Sequence, residues 1–220
     1  MSTEAKICGI RGEAALEAAL NGGARWIGLV FVARSPRCLD ISRAAELAAL
    51  ARGRIKIVAL VADADDAEID TIVRGVGPDV LQLHGHETME RVAAIRARFG
   101  VPVIKAVGVA TAADVAAAFR YHAPGRLADL VLLDAKAPPG SDLKGGHGAP
   151  FDWMILSAVP IDVPYMLAGG LNPGNVRDCI LKTGAPAVDV SSGVETAPGE
   201  KSPELIQRFL QAVKTAKQRL

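Results

Sequence analysis

Phenylalanine, tyrosine and tryptophan supply only 4% of this 220-residue chain, although half of its residues are apolar. Its core must be built from Val, Ile, Leu and Ala, which suits buried parallel strands jacketed by Ala-rich helices better than a β-sandwich. Net charge is nearly absent too, since 25 basic and 24 acidic residues leave a formal +1. With no basic stripe and no aromatic–basic alternation, nucleic acid is not an expected partner. Cysteine is scarce: Cys8, Cys38 and Cys179 are odd in number and far apart, which fits neither a disulfide framework nor a CxxC metal or redox pair. The start of the chain lacks a signal-peptide core, and no apolar run is long enough to span a bilayer. The expectation is a soluble protein of the reducing cytoplasm with no membrane partner.

Two nucleotide-binding signatures are also missing. No GxGxxG follows the first apolar run, and GxxxxGK[ST] occurs nowhere. An open doubly wound sheet thereby loses its usual cue. What the sequence does contain is a regular alternation of short apolar runs and longer amphipathic segments. Strands are expected at 6–8, 26–30, 55–61, 80–83, 103–107, 130–133, 165–168 and 187–190, all nearly continuous Val/Ile/Leu runs, as in strands buried on both faces. Helices are expected at 13–20, 42–51, 88–99, 112–119, 173–181 and 202–217. Ser42 with Glu46, Thr111 with Asp114, and Ser202-Pro203-Glu204 carry start signals. Eight βα units predict one (β/α)₈ barrel, a TIM barrel, occupying residues 1–220 as a single domain. The irregular stretch from Ala135 to Pro150, rich in Gly and Pro, follows strand 6. It reads either as a lid over the barrel mouth or as a surface insertion.

In such a barrel, side chains at the C-terminal ends of strands reach the ligand. Cys8 closes strand 1 and is either a small buried hydrophobe or, if positive charge lowers its pKa, a nucleophile or base. Lys6 and Arg11 are the nearby cations in sequence. Asp134 closes strand 6 after four apolar residues, as a loop residue or as a carboxyl at the mouth able to donate a proton. Gly169-Gly170 follow strand 7, and Asp189-Val190-Ser191-Ser192-Gly193 run out of strand 8. Glycines and serines after these two strands fit a phosphate site of backbone N–H groups and hydroxyls, against the plainer reading of two tight turns. Arg37 past strand 2 suits a carboxylate, or is a solvated loop charge; His84 after strand 4 is either a mouth or a structural residue. The histidines form no metal-ligand spacing, so neither metal nor cofactor is expected.

The ordered motifs KICGI (6–10), SPR (35–37), LQLHGHE (81–87), VIKAV (103–107), LLDAKAPPG (132–140), FDW (151–153), LAGGLNPGNV (167–176) and DVSSGVE (189–195) resemble phosphoribosylanthranilate isomerase across nearly the whole chain. The resemblance implies a cofactor-free Amadori rearrangement in tryptophan biosynthesis. By that likeness Cys8 matches the general base, Asp134 the general acid and Arg37 the residue that holds the anthranilate carboxylate. His84 and Asp189 join Arg37 as substrate-binding candidates, and Gly169, Gly170, Ser191, Ser192 and Gly193 match the phosphate loops. Two positions depart from the family pattern: Arg11 stands where threonine is usual, and His147 replaces the threonine of a GGTG loop. Indole-glycerol-phosphate synthase is the rival, with Lys105 as its candidate catalytic lysine but no evident matching glutamate. A non-catalytic barrel binding phosphometabolites is the third reading. A small phosphorylated substrate is expected; the oligomeric state stays open.

Overall fold

A computed structural model describes residues 2–122, 125, 127–136, 152–158 and 163–216. Its strands are β1 (Glu4–Cys8), β2 (Trp26–Val30), β3 (Lys56–Val61), β4 (Val80–Leu83), β5 (Val103–Val109), β6 (Leu130–Ala135), β7 (Tyr165–Leu167) and β8 (Ala187–Val190). All pair in parallel with their sequence neighbours, and β8 returns to β1, closing the barrel. The helices are α1 (Glu13–Asn21), α2 (Ile41–Ala51), α3 (Asp66–Val76), α4 (Met89–Phe99), α5 (Ala112–Phe119), α6 (Val176–Thr183) and α7 (Pro203–Thr215). A 3₁₀ helix, Trp153–Ala158, precedes β7, and a small antiparallel ribbon of β9 (Glu195–Ala197) and β10 (Glu200–Lys201) follows β8.

Side chains of a strand alternate between two faces. On β6, Val131 and Leu133 join the core between strands and helices, whereas Leu132 joins a cluster of strand residues and Ala168 just past β7, to which no helix contributes. The same parity turns Asp134 inward, and on β8 it sets Asp189 on the face of Ala187. The outer jacket gathers Leu16, Leu47, Ile180, Phe209 and Leu210 from four helices, each buried. Each such side chain contributes about 1.5–3 kcal/mol relative to exposure. The inner cluster of Val58, Ile104, Ala106, Leu132 and Met166 fills the barrel below the mouth.

The helix starts follow the capping chemistry, with corrections at α2 and α6. Thr111 and Asp114 form a reciprocal capping box, and Ser202 accepts from the Leu205 N–H ahead of α7. The cap expected at Ser42 is instead Asp40, whose carboxylate accepts from the Arg43 N–H at 2.8 Å, and α2 begins at Ile41. α6 begins at Val176 rather than Pro173, because Asn172 Oδ1 accepts from the Gly174 N–H at 2.8 Å and holds a turn there. α3 fills the β3–β4 connection, where eight βα units call for a helix of unspecified bounds, and carries its own capping box of Asp65 and Glu68. Most of the stretch read as a lid, residues 137–150, lies outside the described residues, as does His147.

Candidate active site

At the C-terminal ends of the strands opens a cavity of about 460 Å³. Cys8, Arg37, His84, Asp134 and Asp189 all line it, as do Gly169, Gly170, Ser191 and Ser192. Gly193 does not: it packs behind the wall, where an added Cβ would lie 1.9 Å from the Leu171 carbonyl oxygen. That close approach holds the β8 loop against the β7 loop. Gly169 and Gly170 adopt φ of +85° and +66°, a region that favours glycine, and their wall carries no side chain beyond hydrogen.

Cys8 is 4% exposed, at the inner end of β1. Its cross-strand neighbour on β2 is Gly28, whose missing Cβ would lie 2.8 Å from Cys8 Sγ and 3.3 Å from Lys6 Nζ. Glycine at this inward position leaves room for the thiol and ammonium to face each other. Lys6 is fully buried inside the barrel and donates to Asp189 Oδ1 at 3.0 Å. Burial disfavours the Lys6 ammonium, but the Asp189 carboxylate and the Cys8 thiol outweigh it and hold its pKa above the ordinary value. Burial pushes the Cys8 thiol up, Lys6 and Lys201 pull it down, and Asp189 adds to the rise; the net direction is upward. The positive charge sought beside the thiol is therefore present as Lys6, yet burial outweighs it. Arg11 supplies none of it: its guanidinium reaches the Gly199 turn between β9 and β10 and does not line the cavity.

On the opposite wall, Asp134 Oδ1 accepts from the Ala135 N–H at 2.8 Å, and Oδ2 lies 3.2 Å from His84 Nε2. His84 Nδ1 is in turn 3.0 Å from the Gln82 amide nitrogen. With that amide donating to Nδ1, the ring proton sits on Nε2 and points at Asp134. His84 thus orients the carboxyl as well as lining the mouth.

Two contributors escape a linear reading, Glu195 and Lys201, which come from the ribbon beyond β8. Glu195 accepts a fork from Arg37, Nε and Nη2 each donating at 2.7 Å. Lys201 pairs with Glu195 and donates to the Ser191 carbonyl at 3.2 Å. The signal for these partners was the acidic residue closing DVSSGVE, though nothing in its spacing names Arg37.

Lys105 does not enter the barrel. It pairs in register with Leu83 and Val131, both in the jacket packed by helices, so it faces outward. Its ammonium donates to Glu87 Oε2 at 2.8 Å and to the carbonyls of Leu83, Gly85 and Ala106. The glutamate that the sequence did not pair with Lys105 is thus Glu87, and the pair is structural. The lysine proposed for a synthase reading is saturated and on the wrong face. Among the described residues, no group of three or more His, Cys, Asp or Glu side chains is placed to hold a metal ion, and no helix is long and apolar enough to cross a membrane.

The family model of N-(5'-phosphoribosyl)anthranilate (PRA) isomerase matches residues 5–212. An N-(5'-phosphoribosyl)anthranilate isomerase of Brucella canis is 50% identical over 216 residues, covering 98% of this chain and 96% of the relative. The crystal structure of phosphoribosyl anthranilate isomerase from Thermotoga maritima superposes with a TM-score of 0.85 at 32% identity, over 96% of this chain and 98% of that one. A phosphoribosyl anthranilate isomerase in complex with reduced 1-(o-carboxyphenylamino)-1-deoxyribulose 5-phosphate gives 0.79 at 30% identity, with the same coverage. Closed barrel, inward thiol and carboxyl, and full-length similarity agree: this chain belongs to the N-(5'-phosphoribosyl)anthranilate isomerase family.

Proposed function

We propose that this protein converts N-(5-phosphoribosyl)anthranilate to 1-(2-carboxyphenylamino)-1-deoxyribulose 5-phosphate in tryptophan biosynthesis, with Asp134 as general acid and Cys8 as general base. The observation that carries this reading is that a thiol from β1 and a carboxyl from β6 line one cavity. The glycine and serine turns after β7 and β8 line it as well, and Arg37 stands on its rim.

The substrate phosphate sits against Gly169, Gly170, Ser191 and Ser192, where backbone N–H groups and the Ser192 hydroxyl are its donors; the Ser191 hydroxyl donates instead to the Cys8 carbonyl at 3.2 Å, and Gly193 supports this wall from behind. Arg37 takes the anthranilate carboxylate. Anchoring both ends fixes the reacting carbon between acid and base, so that proton transfers become intramolecular. Protonated Asp134 donates to the furanose ring oxygen as the C1′–O bond breaks, and the aniline nitrogen lone pair forms the C=N bond of a cationic Schiff base. That cation beside Cys8 favours the thiolate, against the burial that pushes the thiol pKa up. The thiolate then takes the C2′ proton, the electron pair moves into a C1′=C2′ bond, and the enolamine tautomerises to the ketone. His84 holds the Asp134 carboxyl toward the sugar, and Asp189 keeps the Lys6 charge beneath the thiol. The whole chain acting as one unit in the cytoplasm completes the reading; free Cys8, Cys38 and Cys179 support the reducing compartment.

Turnover of phosphoribosylanthranilate by wild type, Cys8→Ser and Asp134→Asn tests it. Each variant should lose roughly 10²–10⁴-fold in kcat, the usual worth of a positioned acid or base. Unimpaired turnover in either would remove that residue's role, and ligand binding without any wild-type turnover would favour a binding barrel.

A further inference from the structure

Arg37 offers two edges for a carboxylate, and one is already taken. Its Nε and Nη2 each donate at 2.7 Å to the two oxygens of Glu195. That side-on fork leaves Nη1 and the second N–H of Nη2 as an end-on edge. Arg37 lines the cavity, whereas Glu195 and Lys201 stand behind it with side chains 4% and 2% exposed. Burial raises the Glu195 pKa, but Arg37 and Lys201 outweigh that and hold it below the usual carboxylate value. Glu195 is thus an ionised group between two cations, and the trio keeps one net positive charge.

We propose that Glu195 is a positioning residue that pins Arg37 by its side edge and presents its end-on edge to the substrate carboxylate, while Lys201 neutralises Glu195 so that the arginine charge stays available. This deepens the isomerase reading and rests on the role given there to Arg37. Two physical points support it. An arginine free of Glu195 must give up rotamer freedom each time it binds, and a fork held in place has already lost it. A lone Arg37–Glu195 pair would be neutral, with little charge left for a second carboxylate; Lys201 restores the excess.

The test is a double-mutant cycle of Glu195→Gln and Arg37→Ala, read as KM and kcat on phosphoribosylanthranilate and as inhibition by inorganic phosphate. Gln keeps the size of Glu195 but loses the charge. E195Q should raise KM about 10–100-fold, as for loss of a charged hydrogen-bonding partner, with kcat changed by less than about threefold. In the R37A background E195Q should change KM by less than about twofold, because its effect runs through Arg37. Phosphate inhibition should hold within about twofold throughout, and Glu195→Asp, a shorter carboxylate, should fall between wild type and E195Q. An unchanged KM in E195Q, an equal KM rise with and without Arg37, or parallel weakening toward phosphate would overturn the proposal. Failure of the wild type to turn over phosphoribosylanthranilate would instead sink the isomerase reading beneath it.

Discussion

Lys6 and Asp189 form a buried ion pair next to the proposed base, and removing either partner should harm the fold while moving the thiol in opposite directions. Lys6 is 0% and Asp189 7% exposed, with Nζ and Oδ1 3.0 Å apart. Breaking such a pair from one side leaves an uncompensated buried charge and costs about 3–5 kcal/mol. That is a large part of a typical stability of about 5–15 kcal/mol. Lys6→Met should show the full cost in urea denaturation, and Asp189→Asn, which keeps a hydrogen-bond acceptor, the lower end. The thiol responds to sign. Cys8 Sγ and Lys6 Nζ both abut the space above Gly28, at 2.8 and 3.3 Å from it, so they are close neighbours. Those two distances together limit the separation to about 6 Å at most, so at an effective dielectric near 20 their attraction is at least about 3 kcal/mol for the ionised pair. Lys6→Met removes a charge that pulls the Cys8 pKa down, and Asp189→Asn removes one that pushes it up. Alkylation of Cys8 by iodoacetamide, followed by mass spectrometry across pH, reads the thiolate directly. The rate at fixed pH should fall at least about tenfold in Lys6→Met and rise in Asp189→Asn. In wild type it should keep climbing with pH past the ordinary thiol value of 9.0, because the folded pKa lies above it. Cys179, pushed up to about 12, should stay unlabelled as an internal control. Equal slowing in both variants, or no change in either, would refute the claim that this pair sets the field at Cys8.

Two further outcomes follow from the geometry. Gly193→Ala places a Cβ 1.9 Å from the Leu171 carbonyl, so the β7 and β8 loops must separate; inhibition by inorganic phosphate should weaken, with an overpacking cost of about 1–3 kcal/mol in thermal denaturation. Lys105→Met removes the counter-charge of Glu87, itself 5% exposed, which keeps the Asp63 and Gly85 N–H donors, and should cost about 3 kcal/mol of stability, while turnover per folded molecule stays within about threefold. A collapse of that turnover would restore a catalytic role to Lys105.

The parts of the site at the ends of apolar runs were legible in the sequence. Cys8 and Asp134 each close a run of buried residues, and strand parity alone turns them inward once the barrel closes. The glycines after β7 and the serines after β8 were legible for the same reason. Parity was also what misled at Lys105: it sits amid an apolar strand like Lys6, yet it points into the jacket and Lys6 into the barrel. No local pattern distinguishes the two until register is known. Arg37 and Glu195 lie 158 residues apart and meet only because the ribbon after β8 folds back over the β2 loop. α3 was different, since Asp65, Glu68, Ile69 and Ile72 carry both cap and periodicity within one short segment.

The most direct test of the account is a crystal structure of this protein with reduced 1-(o-carboxyphenylamino)-1-deoxyribulose 5-phosphate, the ligand already seen bound to a relative. The phosphate should lie on the Gly169–Gly170 and Ser191–Ser192 turns, the aromatic carboxylate on the Arg37 edge that Glu195 leaves open, and C2′ within reach of Cys8 Sγ. A ligand seated in the reverse sense, or in the neighbouring cavity lined by Glu87, Lys105 and Tyr121, would contradict it.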